Sequence, residues 1–494
     1  MDYEAVIGLE VHAQLLTRSK MFCSCAAKYR DASPNTMVCP VCLALPGVLP
    51  VVNRQAVIFT IMTGLALHCA IAEETKFDRK NYPYPDLMKG YQISQFDQPI
   101  ASAGYLVINQ NGTEKRIGIT RVHLEEDVAK MSHHHPRGND GYSLVDVNRA
   151  GVPLMEVVGD PDLRSPEEAR DYLTQLRSIL QYLGVSTGNM QEGGFRCDAN
   201  ISVRPQGDQN MFPKVEVKNM NSFRAVVRAL EYEFDRQTQI ISIGGIIEQE
   251  TRGWIEERGV TVSQRSKESA HDYRFFPEPD LPPVMIGRDW VEEIRSALPE
   301  LPEARRNRLI TEYGLSLYDA NLLTSSKATA DFYEDVLRIQ PLEGQALYRR
   351  AKAISNWMLG EMTRLLNALD KSLSEVAVAP DHLSALQDFV DSDTLSNTMA
   401  KDVFEEMFSQ GKHPSVIVAE RGLSQMNDST RLLPIIEEVL DRNAQPVQDY
   451  LSGKESASKF LLGQVMKLTQ GSANPEFTLK LLVDRLKSLA NSKQ

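Results

Sequence analysis

Nine consecutive residues, Arg196-Cys197-Asp198-Ala199-Asn200-Ile201-Ser202-Val203-Arg204, alternate polar and apolar without a break. Period two puts Arg196, Asp198, Asn200, Ser202 and Arg204 on one side and Cys197, Ala199, Ile201 and Val203 on the other. This is a β-strand with an apolar back and a charged front. The pattern recurs. Glu10 and His12 alternate with Leu9, Val11 and Ala13; His123, Glu125 and Asp127 alternate with Val122, Leu124 and, less regularly, Glu126. Glu216 and Lys218 alternate with Val215 and Val217, and Glu156 interrupts the apolar run Pro153–Val158. A half-wet antiparallel sheet also produces alternation. Five acid-bearing strands ask for more, because clustered carboxylates repel and need cations between them.

At 494 residues the chain exceeds a single core and implies about two to four domains. No apolar run is long enough to span a bilayer, and Met1-Asp2-Tyr3-Glu4 lacks the basic, then hydrophobic, pattern of a signal peptide. The expectation is therefore no membrane and a cytoplasmic protein, or one in the matrix or stroma of an organelle. A net charge of −12 excludes a general nucleic-acid coat. A polyanion partner would need a local basic patch. Lys454, Lys459, Lys467, Lys480, Arg485, Lys487 and Lys493 offer one, although charge alone fits a solvated helix face equally well.

Four of the six cysteines are close together, as Cys23-Ser24-Cys25 and Cys39-Pro40-Val41-Cys42. In a reducing compartment such pairs favour a closed, structural zinc site over disulfides, with no open position for catalysis. Cys69 and Cys197 read as small buried hydrophobes.

Residues 1–290 are strand-rich. One helix is predicted over Glu167–Leu183, with Ser165 as N-cap and Pro166 in its first turn, and another over about Ser222–Ile240. The proline-dense stretch Phe276–Pro283 reads as an extended connector. Beyond it, helical spacing covers Val291–Ala297, Glu303–Tyr313, Ser316–Thr324, Lys327–Ile339, Gln345–Leu366 and Pro380–Val390. Shorter helices follow, including Leu432–Asn443 behind Asp428 or Ser429, then Val447–Ser452, Lys454–Thr469 and Asn474–Asn491. The expected domains are 1–290, 291–400 and 401–494. His133-His134-His135 reads as a surface loop.

Glu10, His12, Glu125 and Glu156 together suit Mg²⁺, which takes hard oxygen ligands and tolerates an orienting imidazole. Asp198, Asn200, Glu216 and Lys218 form a second polar group, and Arg79, Lys80, Lys89, Arg196 and Lys218 are the candidate cations for phosphate. Tyr82 and Tyr84, stiffened by prolines, could stack on a base or pack their loop. No phosphate loop, dinucleotide fingerprint or Ser-His-Asp set is present.

Several segments resemble the B subunit of the bacterial and organellar glutamyl/aspartyl-tRNA amidotransferase. They include Val6–His12, Lys76–Tyr82, Tyr91–Ile100, Glu125–Asp127, Asp146–Arg149, Arg196–Ser202 and Asp272–Asp280. The resemblance implies an α+β chain. A cradle-like, mostly antiparallel sheet of the glutamine synthetase and guanido kinase type would be followed by an all-α helical domain and a small helical tail that holds tRNA. It also implies ATP-dependent conversion of Glu-tRNA(Gln) or Asp-tRNA(Asn) to the amidated form. Ammonia would come from glutamine through a partner amidase subunit, with a small third subunit joining the two. The family's metal positions map onto His12, Glu125 and Glu156, with Glu10 adjacent. Its zinc cluster maps onto Cys23, Cys25, Cys39 and Cys42. On this reading Glu10, His12, Glu125, Glu156 and Lys80 are catalytic, and Arg79, Lys80, Tyr82, Arg196, Asp198, Asn200, Glu216 and Lys218 bind ATP. Two rivals remain at this point: a small-molecule carboxylate-amine ligase or guanidino kinase, and a zinc-bearing RNA-binding scaffold without chemistry.

Overall fold

The computed structural model describes residues 2–110, 113–134, 141–208, 210, 212–266, 273–423, 429–469 and 473–491. His135, Asp272, Asp428 and Lys493 lie outside the described residues. Two compact units are present, Met1–Pro302 and Glu303–Gln494.

The first unit contains strands β1 (Tyr3–Gln14), β2 (Ala70–Ile71), β3 (Glu74–Thr75), β4 (Asp78–Asn81), β5 (Tyr91–Ser94), β6 (Ala101–Gln110), β7 (Thr113–Glu126) and β8 (Lys130–His134). They continue with β9 (Tyr142–Asp146), β10 (Pro153–Gly159), β11 (Phe195–Pro205), β12 (Val215–Met220), β13 (Glu250–Ile255), β14 (Val260–Ser266), β15 (Phe276–Pro277) and β16 (Val284–Met285). The main sheet runs β14-β13-β12-β11-β1-β10-β7-β6-β2. Only the β12–β13 pair in it is parallel. Its apolar face holds Ile7, Leu9, Val11, Ala13, Val122, Leu124, Met155, Val157, Cys197, Ala199 and Ile201, none more than 2% exposed. Helices α1 (Arg54–Ala66), α2 (Pro166–Tyr182) and α3 (Phe223–Ser242) add Val57, Ile61, Leu173, Leu176, Val226 and Leu230 to the same core. Each such side chain contributes about 1.5–3 kcal/mol on burial, which leaves the opposite face free to carry charge.

Ser165 caps α2 by accepting the Glu168 N–H at 3.2 Å, and Ser222 caps α3 by accepting from Ala225 at 3.1 Å. Helix α1 was not read from the sequence. It is apolar on nearly every side, so no polar stripe reveals its period.

The proline-dense stretch is extended, but it is a strap on the first unit, not a connector leaving it. Phe276 and Pro277 pair with Arg79 and Asp78, and Val284 and Met285 pair with Thr75 and Glu74. Helix α4 (Arg288–Ser296) then buries Ile294 in the same core. His133 and His134 belong to β8, which pairs with β9, so they are not in a loop.

The described part of the second unit is helical. Lys327–Ile339 forms as expected. The long helix predicted over Gln345–Leu366 is divided by a π-turn at Met358–Met362, where the Thr363 hydroxyl donates to the Met358 carbonyl at 2.7 Å. One core gathers Leu309 to Ile417, including Met399, Val403 and Phe404 of the helix Asn397–Gln410; another gathers Leu432 to Leu486. No described helix is long and apolar enough to cross a membrane.

Candidate active site

Register in the four central strands sets the site. Opposed residues on neighbouring strands share a face of the sheet. His123 on β7 lies opposite Glu156 on β10, Glu156 opposite His12 on β1, and His12 opposite Arg196 on β11. These four residues form one transverse row. Glu10 is opposite Asp198 in the next row, and Asn200 is opposite Glu216. A one-residue slip in any of these strands would turn its polar set into the core.

The row borders a cavity of about 600 Å³. Of the residues expected to act together, Glu10, His12, Lys80, Tyr82, Glu125, Glu156, Arg196, Asp198, Glu216 and Lys218 all line it. Strands β15, β4 and β5 form a small separate sheet that supplies Lys80 to the cavity, and Tyr82 follows β4 directly. Arg79 and Asn200 are not among the lining residues. Arg79 donates twice to Glu278, at 2.7 Å each, and once to Asp280 at 3.2 Å. Asn200 donates to the Glu10 carboxylate at 3.0 Å. Lys89 pairs with Glu126 at 2.5 Å, away from this cavity. Arg121, Phe96, Tyr273 and Phe275 line it as well. Arg121 is the next step of the alternation that contains His123 and Glu125, a signal present in the sequence. Phe96 and Phe275 stack at 4.2 Å only because the strap folds back.

His12 Nε2 lies 3.5 Å from both Glu125 Oε1 and Glu156 Oε2, and His123 Nε2 lies 3.2 Å from Glu156 Oε2. One ligand atom each from His12, Glu125 and Glu156 falls within a 4.8 Å span. Burial opposes charge on His12, but the hydrogen bond and charge of Glu156, with Glu125 beyond, push its pKa up to about 9. Burial also opposes ionised Glu156, yet His123 and His12 hold it well below the usual carboxylate range. Glu10 is raised by burial and by Glu156, Glu216 and Asp198. Six carboxylates line the cavity against four fixed cations, so one divalent ion would balance it when both imidazoles are neutral. This donor set of two carboxylates and an imidazole fits such an ion.

Lys218 bridges Asp198 at 2.9 Å and Glu216 at 3.0 Å, and Arg196 donates to Asp127 at 3.2 Å. Asp127 also accepts from Gln14 at 2.7 Å. Lys80 Nζ rests 5.0 Å from the centre of the Tyr273 ring.

Cys23, Cys25, Cys39 and Cys42 present four sulfurs within a 4.8 Å span and form no disulfide. Cys39 and Cys42 are 3.9 Å apart at sulfur. A tetrahedron of sulfurs at zinc's ordinary bond length has edges of about 3.8 Å, so the thiols fit that ion. The Cys23 hydrogen bond holds Cys42 down at about 4, against burial and with help from Lys20.

Residues 5–292 match the profile of the GatB/GatE catalytic domain, and residues 344–486 match that of the GatB domain. The B subunit of the aspartyl/glutamyl-tRNA(Asn/Gln) amidotransferase of Moorella thermoacetica is 56% identical over 486 residues, covering 98% of this chain and all of that protein. The protein of the same name from Carboxydothermus hydrogenoformans is 53% identical over 488 residues, 99% of this chain and all of its own. That from Dehalococcoides mccartyi is 54% identical over 482 residues, 97% of this chain and 98% of its own.

Proposed function

The chain belongs to the family of aspartyl/glutamyl-tRNA(Asn/Gln) amidotransferase B subunits, and from that membership we propose that it amidates the side-chain carboxylate of a glutamyl or aspartyl group esterified to tRNA, using ATP. Such a B subunit works within a multi-subunit enzyme. The partners we assign are an amidase subunit that releases ammonia from glutamine and a small third subunit, in the cytoplasm or an organelle matrix.

The observation that carries this reading is His12 Nε2 lying 3.5 Å from both Glu125 and Glu156 beside a large charged cavity. A carboxylate is a poor acyl donor, because displacement would expel oxide. Phosphorylation turns that oxygen into a leaving group. His12, Glu125 and Glu156, with Glu10 adjacent, would hold Mg²⁺, which when bound supplies positive charge to phosphate oxygens. Lys80 offers the incoming phosphates a cation. Arg196 and Lys218, held by their carboxylate partners, keep the floor of the cavity positive at fixed points. Tyr82, Asp198 and Glu216 shape the nucleotide side of the site, and Asn200 orients the Glu10 carboxylate from behind it. Cys23, Cys25, Cys39 and Cys42 would hold a structural zinc. We assign 1–290 to catalysis, 291–400 to a helical linker and 401–494 to holding tRNA.

The test is Glu125→Gln in the reconstituted enzyme with charged tRNA. Amide formation should fall to background while glutamine hydrolysis by the partner continues. Amide synthesis at the normal rate would overturn the assignment.

A further inference from the structure

We propose that Arg121 is a catalytic residue whose guanidinium holds the phosphoryl group as it passes from ATP to the aminoacyl carboxylate. The inference rests on the function proposed above. Arg121 stands one alternation step before His123 on β7, so it shares the charged face and lies about 7 Å from the His123–Glu156–His12 row. It lines the same cavity. The other floor cations are matched by acids, Arg196 by Asp127 and Lys218 by Asp198 and Glu216. Among the described residues Arg121 has no carboxylate partner, which sets it apart from Arg196, although the Nε of each is buried with no hydrogen-bond acceptor. Its register neighbours are Val158 on β10 and Ser102 on β6, and neither carries charge.

A guanidinium that lines a cavity with no carboxylate beside it is suited to an acceptor that arrives with the substrate. The planar fork of Arg suits two oxygens of one phosphoryl group. That group is present throughout the reaction, so one fixed donor serves both steps. In the first, a carboxylate oxygen bonds to the γ-phosphorus as the bond to the bridging oxygen breaks, and ADP leaves with that electron pair. In the second, the ammonia lone pair forms the C–N bond, the C–O bond breaks toward phosphate, and the proton shed by nitrogen goes to the departing phosphate.

The experiment uses the complete reconstituted enzyme carrying Arg121→Ala, Arg121→Lys, Arg121→Gln or Glu125→Gln. Arg121→Ala should lower kcat for amide formation by about 100-fold while leaving the partner's glutaminase intact. Added methylguanidinium should restore about tenfold of that loss, and inhibition by inorganic phosphate should weaken about tenfold. If the alanine variant does not fold, Lys should outperform Gln by about tenfold, because only Lys keeps the charge. Activity within about threefold of wild type with unchanged phosphate inhibition, or equal Lys and Gln variants, would overturn the role of Arg121. Should Glu125→Gln also remain active, the proposed function itself fails; an inactive Glu125→Gln beside active Arg121 variants rejects Arg121 alone.

Discussion

His12 carries a charge that its surroundings both penalise and demand. Burial alone would lower its pKa, yet Glu156 and Glu125 push it up to about 9. In the metal-free protein the imidazolium therefore stabilises the fold fully below the ordinary imidazole value, and this contribution is lost as pH rises through about 9. Glu156, depressed by His123 and His12, works in the other sense: its contribution is present above the ordinary carboxylate value and is lost on strong acidification. A divalent ion must displace the His12 proton. Binding near neutral pH should release about one proton, and affinity should climb with pH until about 9. Calorimetry of Mg²⁺ binding in buffers of different ionisation enthalpy checks this; pH-independent binding without proton release contradicts it. His12, Glu125 and Glu156 were legible because period two fixes the face of every residue on a strand. The same rule separates Arg79 from Lys80, which are adjacent on β4 and cannot face one side together. Grouping them as nucleotide ligands overlooked that constraint. Asn200 is in phase with Asp198, but its amide is used by Glu10.

Among the elements, the strap Phe276–Pro283 is anchored by Arg79, which pairs with both Glu278 and Asp280. The Glu278 side chain is fully buried and Arg79 is its bidentate partner. Arg79→Ala should destabilise the first unit by about 3 kcal/mol, because a buried carboxylate is left unpaired. Urea unfolding followed by far-ultraviolet circular dichroism measures this, and a change under about 0.5 kcal/mol would show the pair to be idle. The four-cysteine loop makes a parallel case. Cys42→Ser should abolish tight zinc binding in a chelator competition and lower the Tm, whereas an unchanged zinc content would remove the assignment. Regular elements were legible where one face is wet. Lys327–Ile339 shows its helical stripe to solvent, while α1 shows almost none. The strap was misread because proline density reports local extension only. Its pairing with residues some 200 positions earlier is tertiary.

For the whole molecule, the separate core from Leu432 to Leu486 offers a place to shorten the second unit. Removing 429–494 should raise KM for charged tRNA by about tenfold or more while leaving metal binding by the first unit unchanged. Equal KM values in full-length and shortened enzymes would assign tRNA holding elsewhere. The charge pattern by itself does not carry the proposed role, since Arg485 pairs with Glu437 and Lys454 with Asp449. The α+β division was legible, because alternation ends where helical spacing begins. The central claim is that side chains from three strands jointly hold one divalent ion. Electron paramagnetic resonance of Mn²⁺ bound to the ¹⁵N-histidine-labelled protein tests it most directly. The account predicts one tight site with a nitrogen coupling that disappears in His12→Ala, and weakened binding in Glu125→Gln and Glu156→Gln. Tight Mn²⁺ binding that shows no nitrogen coupling and is indifferent to all three substitutions would contradict it.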